Sequence, residues 1–251
     1  MMNNANEISA QTKLFGYIGE HAGASSFSAM TNKLFKAEGD DAMMIPMNIR
    51  HDDLYFTISN MRDSQLSGAV IASEYSDQVL EILDTSSNLV KQTGICDLVL
   101  KEEKTLRGEL FGLRVLTEML KDLRVQKIAL LGINGYAKAF SYLSCGFEVA
   151  YFHDNLEELL AFSKSVEIQN ADINRIAVGM EVDLLAYDAV LDFSEIEDLC
   201  MIKTLGRYNF DMKNEKQFSA LRKRATELQS SYTSYDAMLE KMTNSVYKMI
   251  K

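Results

Sequence analysis

The sequence predicts an α/β protein with two sheets rather than one. Short apolar runs typical of strands alternate along the chain with segments whose apolar residues recur at helical spacing. Residues 127–152 combine a strand, a glycine-containing loop, a helix and a second strand, which is the βαβ unit of a parallel sheet. The chain has 251 residues, which corresponds to one or two domains with a sizeable core.

Strand and helix signals alternate through the first half of the chain. Residues 13–19 form a short apolar run that ends in a glycine, which is typical of a strand. The next segment carries apolar residues at helical spacing and stops at Gly39, a common residue after a helix. The predicted elements are strands 13–19, 42–49 and 67–73, helices 25–38 and 52–61, a helix that begins at Gln78, and a hairpin of 95–101 with 106–110.

The second half has a clearer pattern. The run KIALL at 127–131 is typical of a buried strand, and FEVAYF at 147–152 is typical of a second one. The last predicted helix has an apolar stripe that is rich in methionine. The predicted elements are helix 113–122, strand 127–131, helix 136–144, strand 147–152, helix 156–163, strand 189–193, and helices 218–228 and 236–250.

The charge balance excludes two classes of partner. The chain carries 26 lysines and arginines against 36 acidic residues, a formal net charge of −10. Phosphate groups repel such a field, which argues against a surface for nucleic acid or anionic membranes. No apolar run approaches the length of about 18 residues that a membrane-spanning helix needs. We therefore expect neither a nucleic acid nor a membrane as partner.

Cysteines and histidines give no metal or disulfide pattern. The three cysteines are odd in number and widely spaced, which fits a reducing compartment. The three histidines do not cluster, so we expect no metal site. The first 13 residues are polar and lack the apolar core of a signal peptide, which predicts a cytoplasmic protein. The cysteines are Cys96, Cys145 and Cys200, and the histidines are His21, His51 and His153.

The loop after the strand 127–131 has part of a dinucleotide-binding pattern. Such a loop needs glycines for a tight turn, and for a close approach of backbone N–H groups to pyrophosphate at a helix N-terminus. Gly132 and Gly135 take the first and fourth places, while Asn134 stands where a second glycine would be. Asparagine tolerates a left-handed backbone, but its side chain occupies space that a phosphate would use. Residual nucleotide binding and a plain strand–helix turn both remain open.

The residues after the next strand would select the ribose. An acid there accepts a hydrogen bond from the 2′-hydroxyl of NAD, whereas an arginine accommodates the 2′-phosphate of NADP. Here Asp154 would repel a 2′-phosphate. The cofactor-binding candidates are Gly132, Asn134, Gly135, Tyr136, Ala137, His153 and Asp154.

Several motifs, in order along nearly the whole chain, resemble those of shikimate dehydrogenases. FGYIG at 15–19 is similar to the family's YGVIG, and NKLFKAEG at 32–39 to its N-x-x-F-x-x-x-G. LGINGYAKA at 131–139 resembles the family's L-G-A-G-G-A-A-R-A, and Met238-Leu239 resembles part of its G-M-L-x-x-Q. The resemblance rests on the order of these motifs and identifies the chain as a divergent member of the family.

The resemblance implies two domains and a reaction. Residues 1–106, completed by the helix 236–251, would form a mixed α/β substrate-type domain, and 107–235 a Rossmann-like nucleotide-type domain. The family reduces 3-dehydroshikimate to shikimate with NADPH, a step of aromatic amino acid biosynthesis. The implied cofactor is NADP or NAD, and the implied partner is a small polar ligand in the cleft between the domains.

The polar pocket that the resemblance implies is not retained. The family's catalytic lysine falls on Ser76, and its catalytic aspartate on Gly112, or on Phe111 if the alignment slips by one residue. A lysine cation stabilises a developing alkoxide and exchanges a proton, which a serine hydroxyl cannot do. Other changed places are Val70 and Ala72 for the family's Asn and Thr, Asp97 for an Asn, Met242 for a Gln, and His153-Asp154-Asn155 for the cofactor-selecting N-R-T. We therefore expect that the catalytic pair is lost.

Two interpretations remain for most substrate-pocket candidates. Ser25, Ser26 and Ser28 hold a small polar ligand, or one of them caps the helix that follows. Asp97 contacts a ligand or faces solvent. Ser76 is not expected to be a nucleophile, because no histidine is placed in the sequence to activate it. His21 and His153 are acid–base candidates or plain surface residues.

Three functions follow from these patterns. The first is a non-catalytic ligand-binding or regulatory paralogue of the family. The second is an active NAD(P)-dependent oxidoreductase with an altered substrate. The third is an interaction protein without a small ligand, which uses its methionine-rich last helix as a contact surface. A homodimer is compatible with all three.

Overall fold

A computed structural model describes residues 11–168, 171–213 and 216–251. The chain divides into two compact units. The first unit runs up to Gly112 and is completed by Leu239–Lys251, and the second unit is Leu113–Met238. A six-stranded and a five-stranded sheet dominate the structure, which confirms the predicted α/β class with more than one sheet. The domain limits expected at 106/107 and 235/236 stay predictions.

The secondary structure consists of short strands and eight helices of α type within the described residues. The helices are α1 Phe27–Glu38, α2 His51–Asn60, α3 Asn88–Thr93, α4 Gly112–Asp122, α5 Gly135–Leu143, α6 Leu156–Ser165, α7 Ala220–Glu227 and α8 Tyr235–Ile250. The strands are β1 Lys13–Gly19, β2 Ala42–Asn48, β3 Leu66–Ile71, β4 Thr85–Ser86, β5 Leu98–Glu102, β6 Thr105–Glu109, β7 Lys127–Leu131, β8 Glu148–His153, β9 Asp172–Arg175, β10 Val182–Asp183, β11 Ala189–Asp192, β12 Ile202–Thr204 and β13 Tyr208–Asp211.

The first unit is built on a mixed sheet with strand order β2-β1-β3-β5-β6-β4. β1 pairs in parallel with β2 and β3, while β5 and β6 form the predicted antiparallel hairpin. The hairpin turns without a glycine, because Glu103 adopts a left-handed φ of 57°. β5 begins at Leu98, three residues later than expected.

The outer edge of this sheet is β2, which contains the chain's one proline. Pro46 is the register partner of Tyr17 in β1. Two positions earlier, the Asn32 side chain pairs with the backbone of Met44 on both sides: its Nδ2 donates to the Met44 carbonyl (2.9 Å) and its Oδ1 accepts from the Met44 N–H (2.7 Å). The Asn32 carboxamide therefore occupies the place of a neighbouring strand at this point.

The second unit is built on a parallel sheet with strand order β13-β11-β7-β8-β9. The central strands β7 and β11 are almost entirely buried, as their continuous apolar runs predict. Because all five strands are parallel, their carboxyl ends meet at one edge. The chain moves outward from β7 on one side through β8 and on the other through β11, so the strand order reverses beside β7.

Several short or polar segments differ from the predicted elements. The helix expected from Gln78 is a five-residue 3-10 helix, Gln78–Ile82. Helix α3 was not predicted, and neither were the strands of two or three residues, β4, β10 and β12. The strands β9 and β13 were not predicted either; each has four residues and carries polar side chains, so neither shows a strand pattern on its own.

Candidate functional site

Gly132 makes the turn that ends β7. Its φ is +95°, a left-handed value that favours glycine. A Cβ at this position would lie 2.7 Å from the Phe193 carbonyl oxygen and 2.7 Å from the Ser194 nitrogen, both just beyond the end of β11. The turn therefore sits where the strand order reverses, which is the usual place of a ligand crevice in an open parallel sheet.

Asn134 caps helix α5 with its own side chain. Its Oδ1 accepts hydrogen bonds from the N–H groups of Tyr136 (3.0 Å) and Ala137 (3.2 Å). Its φ is −71° and its ψ is −174°, so the backbone is extended and does not use the left-handed conformation that asparagine tolerates. The capped N–H groups are those that a pyrophosphate would use at a helix N-terminus. The α5 terminus thus does not fit a pyrophosphate while Asn134 holds this position.

The other glycine-loop candidates surround this cap. Gly135 is the first residue of α5, and Ala137 is fully buried in its first turn. The ring of Tyr136 lies 6.0 Å from that of Phe193, centroid to centroid. The aromatic contact ties the start of α5 to the segment after β11.

The segment after β8, where a dinucleotide-binding fold contacts the ribose, is rich in acids. His153 Nε2 lies 3.3 Å from Asp154 Oδ1 and 3.3 Å from Glu158 Oε2. Asn155 caps α6, whose first turn also contains Glu157. A positively charged side chain also lies here: Arg175 Nε donates to the Asp154 carbonyl oxygen (3.3 Å). The carboxylates favour a ribose hydroxyl over a 2′-phosphate here.

The serine-rich loop of the first unit distributes its hydroxyls unequally. Ser25 Oγ accepts from the Phe27 N–H (3.1 Å), so Ser25 satisfies the first donor of α1. Ser26 is the N-cap residue by position but makes no side-chain capping bond. Ser28 is 4% exposed, and its buried hydroxyl has no hydrogen-bond partner among the described residues. The capping interpretation thus applies to Ser25, and Ser28 keeps an unused polar group.

Ser76, at the place of the family's lysine, is used by the fold. It is 2% exposed, and its hydroxyl donates to the Ser73 carbonyl oxygen (3.0 Å). Its own carbonyl accepts from the Cys96 N–H (2.7 Å). A buried hydroxyl engaged in this way supplies no positive charge to a substrate.

Asp97 does not face solvent, since it is only 8% exposed. Its Oδ1 accepts from the Phe111 N–H (2.8 Å) and its Oδ2 from the Gly112 N–H (2.7 Å). These are the two places to which the resemblance assigns the family's catalytic acid. The carboxylate therefore holds the start of α4, where negative charge is favourable.

The remaining candidates are buried or isolated. Met242 is fully buried in α8. Cys96 is buried, and this burial raises the pKa of its thiol to about 12; all three cysteines are free.

Within the described residues, no group of three or more His, Cys, Asp and Glu side chains is arranged to hold a metal ion. No described helix combines the length and apolar character needed to cross a bilayer.

Sequence analysis missed two buried acids at the carboxyl edge of the second unit's sheet. Asp192 ends β11 and Asp211 ends β13, and the two are register partners. Asp192 lies within a predicted strand and could have been noted as an acid at a strand end. Asp211 could not, because its strand was not predicted.

The curated proteins with similar sequences are shikimate dehydrogenases. No protein-family model matches the chain. A shikimate dehydrogenase (NADP(+)) of Dictyoglomus thermophilum is 27% identical over 174 residues, which cover 64% of this chain and 63% of that relative. The chain is thus similar to shikimate dehydrogenases, at an identity of 26% to 28% in the first three of them. The matches span less than two thirds of the length of the first curated shikimate dehydrogenases.

Solved structures extend the likeness of fold to almost the whole chain. The shikimate dehydrogenase of Aquifex aeolicus superposes with a TM-score of 0.75 at 18% identity and covers 98% of this chain and 94% of its own. The enzyme of Thermus thermophilus, in complex with NADP(H) and shikimate, gives a TM-score of 0.73 at 15% identity and covers 95% and 93%. The chain therefore has the two-part, Rossmann-like fold of the shikimate dehydrogenases, with the changed polar residues described above.

Proposed function

We propose that the chain is a non-catalytic, shikimate-dehydrogenase-like protein that acts as a ligand-binding or regulatory paralogue. The observation that supports this most directly is the state of the two catalytic places in the first unit. Ser76 stands at the lysine place with its hydroxyl committed to Ser73. The acid places, Phe111 and Gly112, offer backbone N–H groups that Asp97 already binds.

The physical reason concerns the proton that accompanies hydride transfer to a carbonyl. The developing alkoxide needs a nearby acid or cation, and a lysine–aspartate pair supplies both charge and proton. A serine hydroxyl of ordinary acidity supplies neither. Loss of a concerted catalytic pair usually lowers the rate by several powers of ten.

The proposed ligand is small and polar. Ser28 offers a buried hydroxyl that has no hydrogen-bond partner among the described residues, and a ligand hydroxyl or carboxylate would satisfy it. Nucleotide binding is expected to be weak, because Asn134 takes the donors of α5. Where a nucleotide binds, Asp154 and Glu158 favour NAD over NADP. The three free cysteines fit a reducing compartment, so we propose a cytoplasmic protein.

Two measurements test the proposal together. Oxidation of shikimate and quinate with NADP and with NAD should show no turnover above background. Turnover comparable to that of an ordinary dehydrogenase would contradict the loss of catalysis and favour the active oxidoreductase. Thermal shifts with NADH and NADPH report binding separately, since a ligand that binds only the folded state raises Tm. A larger shift with NADPH than with NADH would contradict the inference that Asp154 repels the 2′-phosphate of NADPH.

A variant isolates the contribution of Asn134. Asn134→Gly removes the carboxamide from the α5 terminus and should increase the thermal shift with NADH. Ser87→Gly is the control, because Ser87 also caps a helix: its Oγ accepts from the Val90 N–H (3.5 Å) at the start of α3 in the first unit. An equal gain in both variants, or none in Asn134→Gly, would show that the cap is not what limits nucleotide binding.

A further inference from the structure

Two buried carboxyl groups stand side by side at the carboxyl edge of the second unit's sheet. Asp192 is the last residue of β11 and Asp211 the last residue of β13, and they are register partners in adjacent parallel strands. Asp192 is 4% exposed and Asp211 is 1% exposed. Two like charges this close and this buried are unfavourable unless each is compensated.

The compensation is unequal. Asp211 is held by three donors from different segments: the Lys213 N–H (3.0 Å), the Tyr232 hydroxyl (2.8 Å) and the Ser219 hydroxyl. Within the part of the chain that the structure describes, Asp192 has hydrogen bonds from one residue, Ser194. The Ser194 N–H (2.9 Å) and hydroxyl (2.6 Å) donate to the same oxygen, Oδ1. No cation among residues 11–168, 171–213 and 216–251 forms an ion pair with Asp192.

Burial is the largest influence on the pKa of Asp192 and of Tyr232, and the neighbouring charges act on each group in opposing directions. Burial raises the pKa of Asp192 to about 6; the Ser194 bonds and the Lys213 charge oppose this rise, and the Asp211 charge adds to it. Burial and then the Asp211 charge raise the pKa of Tyr232, so the Tyr232 hydroxyl keeps its proton and donates; the Arg222 charge acts against this. The environments thus separate the two acids, with the proton expected on Asp192.

Asp192 is connected to the glycine turn through Ser194. The Ser194 nitrogen and the Phe193 carbonyl lie against Gly132 so closely that no side chain would fit there. The Phe193 ring contacts Tyr136 and, at 6.4 Å between centroids, Phe140 of α5. The segment that Asp192 holds is therefore the segment on which the turn and the start of α5 pack.

We propose that Asp192 is a proton-operated positioning residue, which takes up a proton on Oδ2 in mildly acidic solution and then holds Ser194, and with it the turn at Gly132, less tightly. A hydrogen bond to a carboxylate is about twice as strong as one to a neutral acceptor, so the proton weakens both Ser194 bonds. The switch acts on the turn itself, with or without a nucleotide.

A pH titration of the whole chain by NMR tests the switch. The Asp192 side-chain carboxyl carbon should titrate with a midpoint near pH 6, and the amide signals of Ser194 and Gly132 should move with the same midpoint. In Asp192→Asn, which cannot take up the proton, the Ser194 and Gly132 amides should no longer move in this range.

Asp188→Asn is the matched control. Asp188 precedes the same strand at its other end, where its carboxylate accepts from the N–H groups of Gln126 (2.8 Å) and Lys127 (2.9 Å). This variant should leave the midpoint near pH 6 unchanged. A carboxyl midpoint near 4 for Asp192 in the unaltered chain would overturn the proposal, and so would Ser194 and Gly132 amides that ignore a titration near 6. Neither result depends on whether the variants fold.

Discussion

Two buried aspartates, one in each unit, show opposite outcomes for a charge inside this fold. Asp97 in the first unit is 8% exposed and binds two backbone N–H groups at the start of α4, one with each oxygen. Asp192 in the second unit is 4% exposed and has one serine as partner. The first carboxylate is compensated and stabilises the fold, whereas the second costs stability. An acid at a place that the resemblance assigns to the pocket is thus no evidence of a working site; its hydrogen-bond partners decide.

The largest expected effect concerns Asp97, the aspartate whose charge is compensated by two backbone N–H groups. Asp97→Ala removes both acceptors and leaves two helix-start N–H groups buried without partners, so it should lower the free energy of unfolding by about 4 kcal/mol. Asp97→Asn keeps one acceptor and should cost about half as much. Urea unfolding of both variants measures the difference, and a loss below about 1 kcal/mol in Asp97→Ala would remove the contrast between the two acids.

Substitution of Asp192 should stabilise the protein, in contrast to substitution of Asp97. The pKa of folded Asp192 is raised to about 6 from 3.8, so its proton stabilises the fold and this contribution is lost as pH rises through 6. Asp192→Asn should therefore raise the free energy of unfolding above pH 6, by up to about 3 kcal/mol, and the gain should disappear below about pH 4. Thermal unfolding from pH 4 to 8 measures it; a variant less stable than the original chain at pH 7.5 would contradict it.

Asp188 provides the matched reference for this pH profile. Backbone hydrogen bonds from Lys127 and Gln126 lower the pKa of Asp188, so its contribution is present above the unfolded pKa and is lost as pH falls through the lower folded value. Asp188→Asn should therefore destabilise the protein near neutral pH, by about 1 kcal/mol, and have little effect in acid. Profiles of the same sign for the two variants would show that the environment of Asp192 is not distinctive.

The smallest effects concern the polar groups at the two candidate sites. Asn134→Ala should cost about 1 kcal/mol, as for other helix caps, because the N–H groups of Tyr136 and Ala137 lose their acceptor. Ser76→Ala removes one donor to Ser73 and should cost about 0.5 kcal/mol. Chemical denaturation gives both values. A Ser76→Ala variant that loses a measurable enzymatic activity would show that the hydroxyl does more than support the fold.

The sequence predicted the second unit's centre well and its flank poorly. KIALL and FEVAYF became β7 and β8 because buried parallel strands are read from continuous apolar runs. DINR and YNFD became strands only through pairing with neighbours, which no local pattern reports. The sequence analysis considered Asn134 only as an obstacle to a phosphate, although its place directly before α5 is that of a helix cap. The partners of Asp97 lie 14 and 15 residues away and depend on the tertiary fold. Asp192 could be placed at the end of a predicted strand, but Asp211 could not, because β13 was not predicted.

The outer strand of the first unit, β2, offers few free backbone groups to a further strand. Along β2, Ile49 directs its N–H inward to Gly19, so the alternate residues Met44 and Pro46 face outward. The Asn32 carboxamide already binds both the N–H and the carbonyl of Met44. Pro46 has no backbone N–H that could donate to another strand. A foreign strand would find no continuous template along this edge, because a side chain of α1 and a proline interrupt it, and this is a known protection of edge strands against fibril-like growth.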